Sequence, residues 1–154
     1  MRKLGCVVLG ALAALVVRCG GSDTVAGPPP PQPDPIVSGG WRGTITFGGQ
    51  VCVPETVDVT VSQNRHEVEF EFGTVCYGKV SFSGELAGPS LSGRLWAPSD
   101  GPCPVPGEPA QRTTLPADAQ GSASASQIHV SSGAFRSPFG GSCERPGVVL
   151  ELAR

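Results

Sequence analysis

Four cysteines, Cys52, Cys76, Cys103 and Cys143, are the residues of this chain best suited to chemistry, and in an exported chain disulfides are their default reading. No two of them form a C-x-x-C pair and no histidine stands near them, which disfavours a structural zinc site built from four such donors. Glu67, Glu69 and Glu71 put three carboxylates on one face of an alternating stretch. Along a strand they would be roughly 6.6–7 Å apart, too far to share a cation without other ligands, and Phe70 and Phe72 take the opposite face. The pattern fits a solvated outer face with Lys79 on the neighbouring strand. His66 and His129 fall at or near tight turns, with no Ser or Cys placed as a nucleophile. We therefore expect no catalytic residue, no metal site and no cofactor, and read the chain as a non-enzyme.

Strands have to position these residues. In Gly39–Phe47, Trp41, Gly43, Ile45 and Phe47 alternate with Arg42, Thr44 and Thr46, the period-two pattern of a strand with one buried face. Val57, Val59 and Val61 repeat it, and a tight turn at Gln63-Asn64-Arg65 leads to Val68, Phe70 and Phe72. Val80, Phe82 and Leu86 then pair with Leu91 and Leu95 through Ala87-Gly88-Pro89-Ser90. Residues 97–112 carry five prolines and no alternation, and read as a loop. A weaker sixth strand spans Ala117–Ala125, a seventh runs from Ile128 to about Phe135, and Val148, Leu150 and Leu152 form the last. With 22 glycines, 16 prolines and no amphipathic helical pattern, the expected fold class is all-β. Eight antiparallel strands in succession can close into an up-and-down barrel, which removes exposed edges.

The odd-numbered connections of that barrel are the longer ones, so one end is pinched by tight hairpins and the other ringed by long loops. Each of the four cysteines falls in a different odd connection, which gathers them all at the long-loop end. Neighbouring loops favour Cys52–Cys76 with Cys103–Cys143, although Cys76–Cys103 with Cys52–Cys143 also joins neighbours around a closed ring. In the chain-entropy model the first pairing contributes about 3–4 kcal/mol per bridge.

Ahead of the barrel, Met1-Arg2-Lys3 is a basic start and Leu4–Val17 an apolar run too short to span a bilayer comfortably. With Cys19 following it, this segment resembles bacterial lipoprotein precursors, in which such a Cys is lipidated. The resemblance implies a signal peptide over residues 1–18, lipidation of Cys19 and a cell-envelope location, the outer membrane ahead of the inner. Arg18 departs from the family's small residue before the Cys. Residues 19–38 hold six prolines and read as a disordered tether of at most roughly 60 Å, leaving the barrel domain at 39–154. Without Arg2, Lys3 and Arg18, eight basic residues face 13 acidic ones, a net charge of −5 that argues against nucleic acid as a partner.

Gly39-Gly40-Trp41 matches the G-x-W signature that opens lipocalin-like (calycin) barrels, here nearer avidin in size, and the chain ends in Leu152-Ala153-Arg154. The opening W-x-G-T and closing L-x-R also resemble a set of short lipoproteins of high-GC bacteria. The resemblance implies that Arg154 returns beside Trp41 to close the barrel, a cation–π contact of about 0.5–2 kcal/mol. The expected function is binding of a small apolar ligand or lipid at the open mouth, with Tyr77 and Trp96 as candidate contacts. The competing expectation is a filled barrel that contacts an envelope protein or inhibits a hydrolase.

Overall fold

Alternating residues sort themselves to the two sides of a wall once that wall closes on itself. A computed structural model describes residues 30–50, 52–100, 103–105, 108–138 and 143–154. Within the unit Pro31–Arg154, the strands in chain order are β1 (Gly39–Phe47), β2 (Glu55–Asn64), β3 (Glu67–Thr74), β4 (Gly78–Ala87), β5 (Ser90–Pro98), β6 (Cys103–Val105), β7 (Glu108–Gln111), β8 (Thr114–Ala123), β9 (Gln127–Ser132), β10 (Phe135–Arg136), β11 (Glu144–Arg145) and β12 (Val148–Ala153). Eight of them form a closed barrel in the ring order β1-β12-β9-β8-β5-β4-β3-β2, with β6–β7 and β10–β11 as two small separate hairpins. Every neighbouring pair in the ring is antiparallel, and Ile45 opposite Leu150 seals the first strand to the last. The fold is thus the eight-stranded up-and-down barrel.

Several stretches differ from the sequence reading. The seventh barrel strand, expected to run to about Phe135, ends at Ser132, and Phe135 belongs to the separate β10–β11 hairpin. Residues 97–112 are not one irregular loop: β5 continues to Pro98, and β6 pairs with β7 across a shifted register. Prolines interrupt the alternation that reveals a strand, yet a short hairpin can place them at edges where no ladder bond is required. The sixth barrel strand, β8, starts at Thr114, and Leu115 rather than Ala117 is its first buried residue. Pro116 is tolerated there because this part of β8 pairs only with β5; its pairing with β9 begins at Ala119.

The inward phase packs solidly. Phe70 stacks on Phe82 with centroids 4.7 Å apart and nearly parallel rings, and Phe72 lies 6.3 Å from Phe70. Gly84 and Gly93 look like gaps in the sequence, but a Cβ at Gly84 would stand 2.6 Å from the Phe82 ring and one at Gly93 3.0 Å from it. The ring occupies the space those glycines leave. Ala117, Ala119 and Ala123 supply the small inward face of β8, in one buried cluster with the bulky rings of β3 and β4.

The folded unit begins before the first strand. The expected tether covers residues 19–38, of which 19–29 lie outside the described residues, but Val37 is fully buried. Its N–H donates to Gln63 Oε1 at 2.7 Å, and its carbonyl accepts from Trp41 Nε1 at 2.7 Å and Arg154 Nη2 at 2.9 Å. Gln63 Nε2 also donates to the Pro35 carbonyl at 3.0 Å. One buried valine among prolines is too short a signal to show as periodicity, which is why the boundary reads too late in the sequence.

Candidate functional site

The tight-hairpin end of the barrel is closed by side chains from both termini of the folded unit. Trp41 faces inward from the start of β1, and β12 runs antiparallel beside it, so Arg154 comes to rest over the indole. The guanidinium carbon is 4.2 Å from the ring centroid. Arg154 also donates to the carbonyls of Val37 and Ser38. Outside this cap, Asp34 accepts a hydrogen bond from the Gly88 N–H at 2.7 Å and pairs with His66. The bond from His66, joined by the Gly88 N–H and working against desolvation, holds the Asp34 carboxyl below the usual value of 3.8.

The long-loop end carries both disulfides, Cys52–Cys76 and Cys103–Cys143, with Cα separations of 6.2 and 5.7 Å. Among the described residues, buried side chains occupy it. Tyr77 is buried, its ring 4.8 Å from Phe47 and 5.8 Å from Phe135, and its hydroxyl donates to the Pro146 carbonyl at 2.8 Å. Arg145, 6% exposed, lies 3.8 Å over the Tyr77 ring. Arg145 donates to Pro98 O and Cys76 O at 2.9 Å each and pairs with Asp100. Its Nε is buried without a partner among the described residues. Burial raises the Tyr77 phenol above its ordinary value of 10.0, an effect the nearby guanidinium only partly offsets. Each end of the barrel therefore carries an arginine laid over an aromatic ring.

The hairpin tip above this plug is held from inside. Glu55 accepts from the N–H of Val75 at 2.7 Å and of Cys76 at 3.0 Å, and Thr74 Oγ1 accepts from the Tyr77 N–H at 2.8 Å. Arg145 binds the Cys76 carbonyl, the disulfide ties the turn to Cys52, and Gly78 takes the left-handed conformation (φ 71°) that ends it. What this scaffold presents to solvent is apolar: Val75 is 96% exposed and Val53, beside the other half of the disulfide, 78%.

Of the residues singled out in the sequence, Trp96 points out, onto the barrel wall between Ser81 and Pro116, since Leu95 and Ala97 point inward. Tyr77 is at the mouth but belongs to the plug. Cys19 lies outside the described residues. Glu67, Glu69 and Glu71 are all exposed, with Glu71 2.7 Å from Lys79. Both histidines are on the surface, His66 in the turn between β2 and β3 and His129 near the turn that opens β9, 3.7 Å from Glu151. Arg145, Glu55 and Val75 went unnoticed in the sequence: a lone Arg in Cys143-Glu144-Arg145-Pro146 and a lone Val in a turn carry no spacing signal.

No protein-family model, curated protein or solved structure matches this chain.

Proposed function

We propose that this chain is an exported interaction module that works through the disulfide-bound loop end, not by carrying a ligand inside. In this reading residues 1–18 direct export, Cys19 receives the lipid that holds the domain in the cell envelope, and the barrel is a lipocalin-like scaffold filled by its own side chains. The observation that carries the reading is Val75: an almost fully exposed valine on a turn whose disulfide, carboxylate and arginine contacts all lie on the inner side. An exposed branched aliphatic side chain on a fixed backbone loses little entropy on docking, which suits it to a partner's apolar pocket. Residues 75–77 form a closed turn, so the tip does not present the extended backbone that a hydrolase substrate cleft pairs with. Docking to an envelope protein is favoured over substrate-like inhibition.

The test is a photo-activated cross-linking residue placed at position 75, at 53, and at outer-wall position 92, in the native cell. The reading expects one shared adduct from positions 75 and 53 and none from 92. The same adducts from all three sites, or none from the tip, would contradict it.

A further inference from the structure

The wall formed by β2–β5 has an outer face unlike the rest of the barrel. Trp96 stands on it as the sole aromatic residue among the described ones that is not buried. Register places Ser81 directly beside Trp96 on one strand, Glu71 beside Ser81 on the next, and Thr60 beside Glu71 on the third. The adjacent row carries Ser83 and Glu69, paired across β3 and β4. Together these residues line a shallow cleft. Its floor is made of short hydroxyl side chains, with the indole on one side and carboxylates about 10 Å away, two interstrand spacings across the sheet. The Trp96 N–H has no hydrogen-bond partner among the described residues and is not sealed from solvent.

We infer that this trough binds a neutral, polyhydroxylated sugar chain, with a pyranose ring laid on Trp96. The axial C–H groups of a pyranose carry weak positive charge and suit the electron-rich face of an indole. Hydroxyls of this and the adjoining sugar residues can donate to Glu69 and accept from Ser81 and Ser83, and one that reaches past the ring edge can accept from the indole N–H, which points along the ring plane. The paired Lys79–Glu71 and the open Glu69 leave the floor slightly acidic, which selects against anionic sugars. The residues of the trough form a row across four neighbouring strands, so it suits a stretch of extended, ribbon-like chain such as β-1,4-linked hexoses form. This site is independent of the Val75 tip and of what the loop end contacts.

The chain has two tryptophans, and Trp41 is sealed beneath Arg154, so a ligand-dependent change in indole emission reports Trp96. The intact oxidised protein is titrated with cellotetraose and with chitotetraose, and with tetragalacturonate as the anionic control. At least one neutral tetrasaccharide is expected to give a saturable emission change. Calorimetry of Trp96→Ala is expected to show binding weakened roughly tenfold or more, with Trp96→Phe restoring part of it; the Phe variant keeps the test valid should Ala destabilise the wall. Glu69→Gln, which removes charge but keeps shape, is expected to weaken binding several-fold. Silence toward both neutral sugars, preference for the galacturonate, or affinity unchanged in Trp96→Ala would each overturn the assignment.

Discussion

Tyr77 and Arg145 decide whether this barrel is hollow at its wide end. An arginine that is 6% exposed loses most of its hydration, which is tolerated only where carbonyls and a counter-charge replace the water. Pro98, Cys76 and Asp100 do so here, and the Tyr77 ring fills the remaining face. Removing the guanidinium with Arg145→Ala leaves those carbonyls unpaired under the loops, and a loss of about 3 kcal/mol is expected in chemical unfolding. The phenol gives a second readout. Tyr77 is the single tyrosine of the chain, so absorbance titration follows it alone. Its folded-state pKa is raised, so its contribution to stability is fully present below the ordinary value of 10.0. That contribution is lost as pH rises from there through the folded value. Tyrosinate absorbance should appear only above that ordinary value, and Tyr77→Phe should flatten the alkaline decline in stability. An ordinary titration near 10.0 would mean that the plug is open in solution.

At the scale of elements, alternation made the barrel strands legible, because period-two burial is imposed by the pleat itself. It also located the cysteines, since the parity of connections in an antiparallel meander is a matter of counting. Trp96 shows where such reading stops: the phase of Leu91 and Leu95 already put it on the outer face of β5, but the wall beside it comes from three other strands. Segment 32–38 was missed for a different reason. It makes no strand, and its one buried side chain, Val37, is anchored by Gln63 and Trp41 from distant parts of the chain. Val37→Ala is expected to cost about 1–3 kcal/mol in urea unfolding, whereas Ile36→Ala, at a side chain 74% exposed, should change little. The Asp34–His66 pair holds the same segment from outside. Asp34 has a lowered pKa, so its contribution is present above the ordinary value of 3.8 and lost as pH falls through the lowered one. Asp34→Asn should abolish that acid step by lowering stability at neutral pH to the level the native protein has below it.

For the molecule as a whole, the bridges and the two arginine-on-aromatic caps act on one closed wall. Reduction of Cys52–Cys76 and Cys103–Cys143 frees loops of 24 and 40 residues, with an expected loss of about 3–4 kcal/mol each by loop entropy. Buried side chains occupy the described interior and an arginine lies over an aromatic ring at each end, which under the proposed function leaves contact with a partner to the outer surface. An eight-stranded barrel is wide enough to be filled by side chains or to hold one small ligand, and the aromatic stack of Phe70, Phe72 and Phe82 argues for the former. The most direct measurement is a titration of the oxidised protein with the apolar fluorophore N-phenyl-1-naphthylamine, with a long-chain fatty acid as competitor. A filled barrel predicts no saturable fluorescence enhancement and nothing for the fatty acid to displace. One-to-one uptake that the fatty acid reverses would contradict the account and make the protein a carrier.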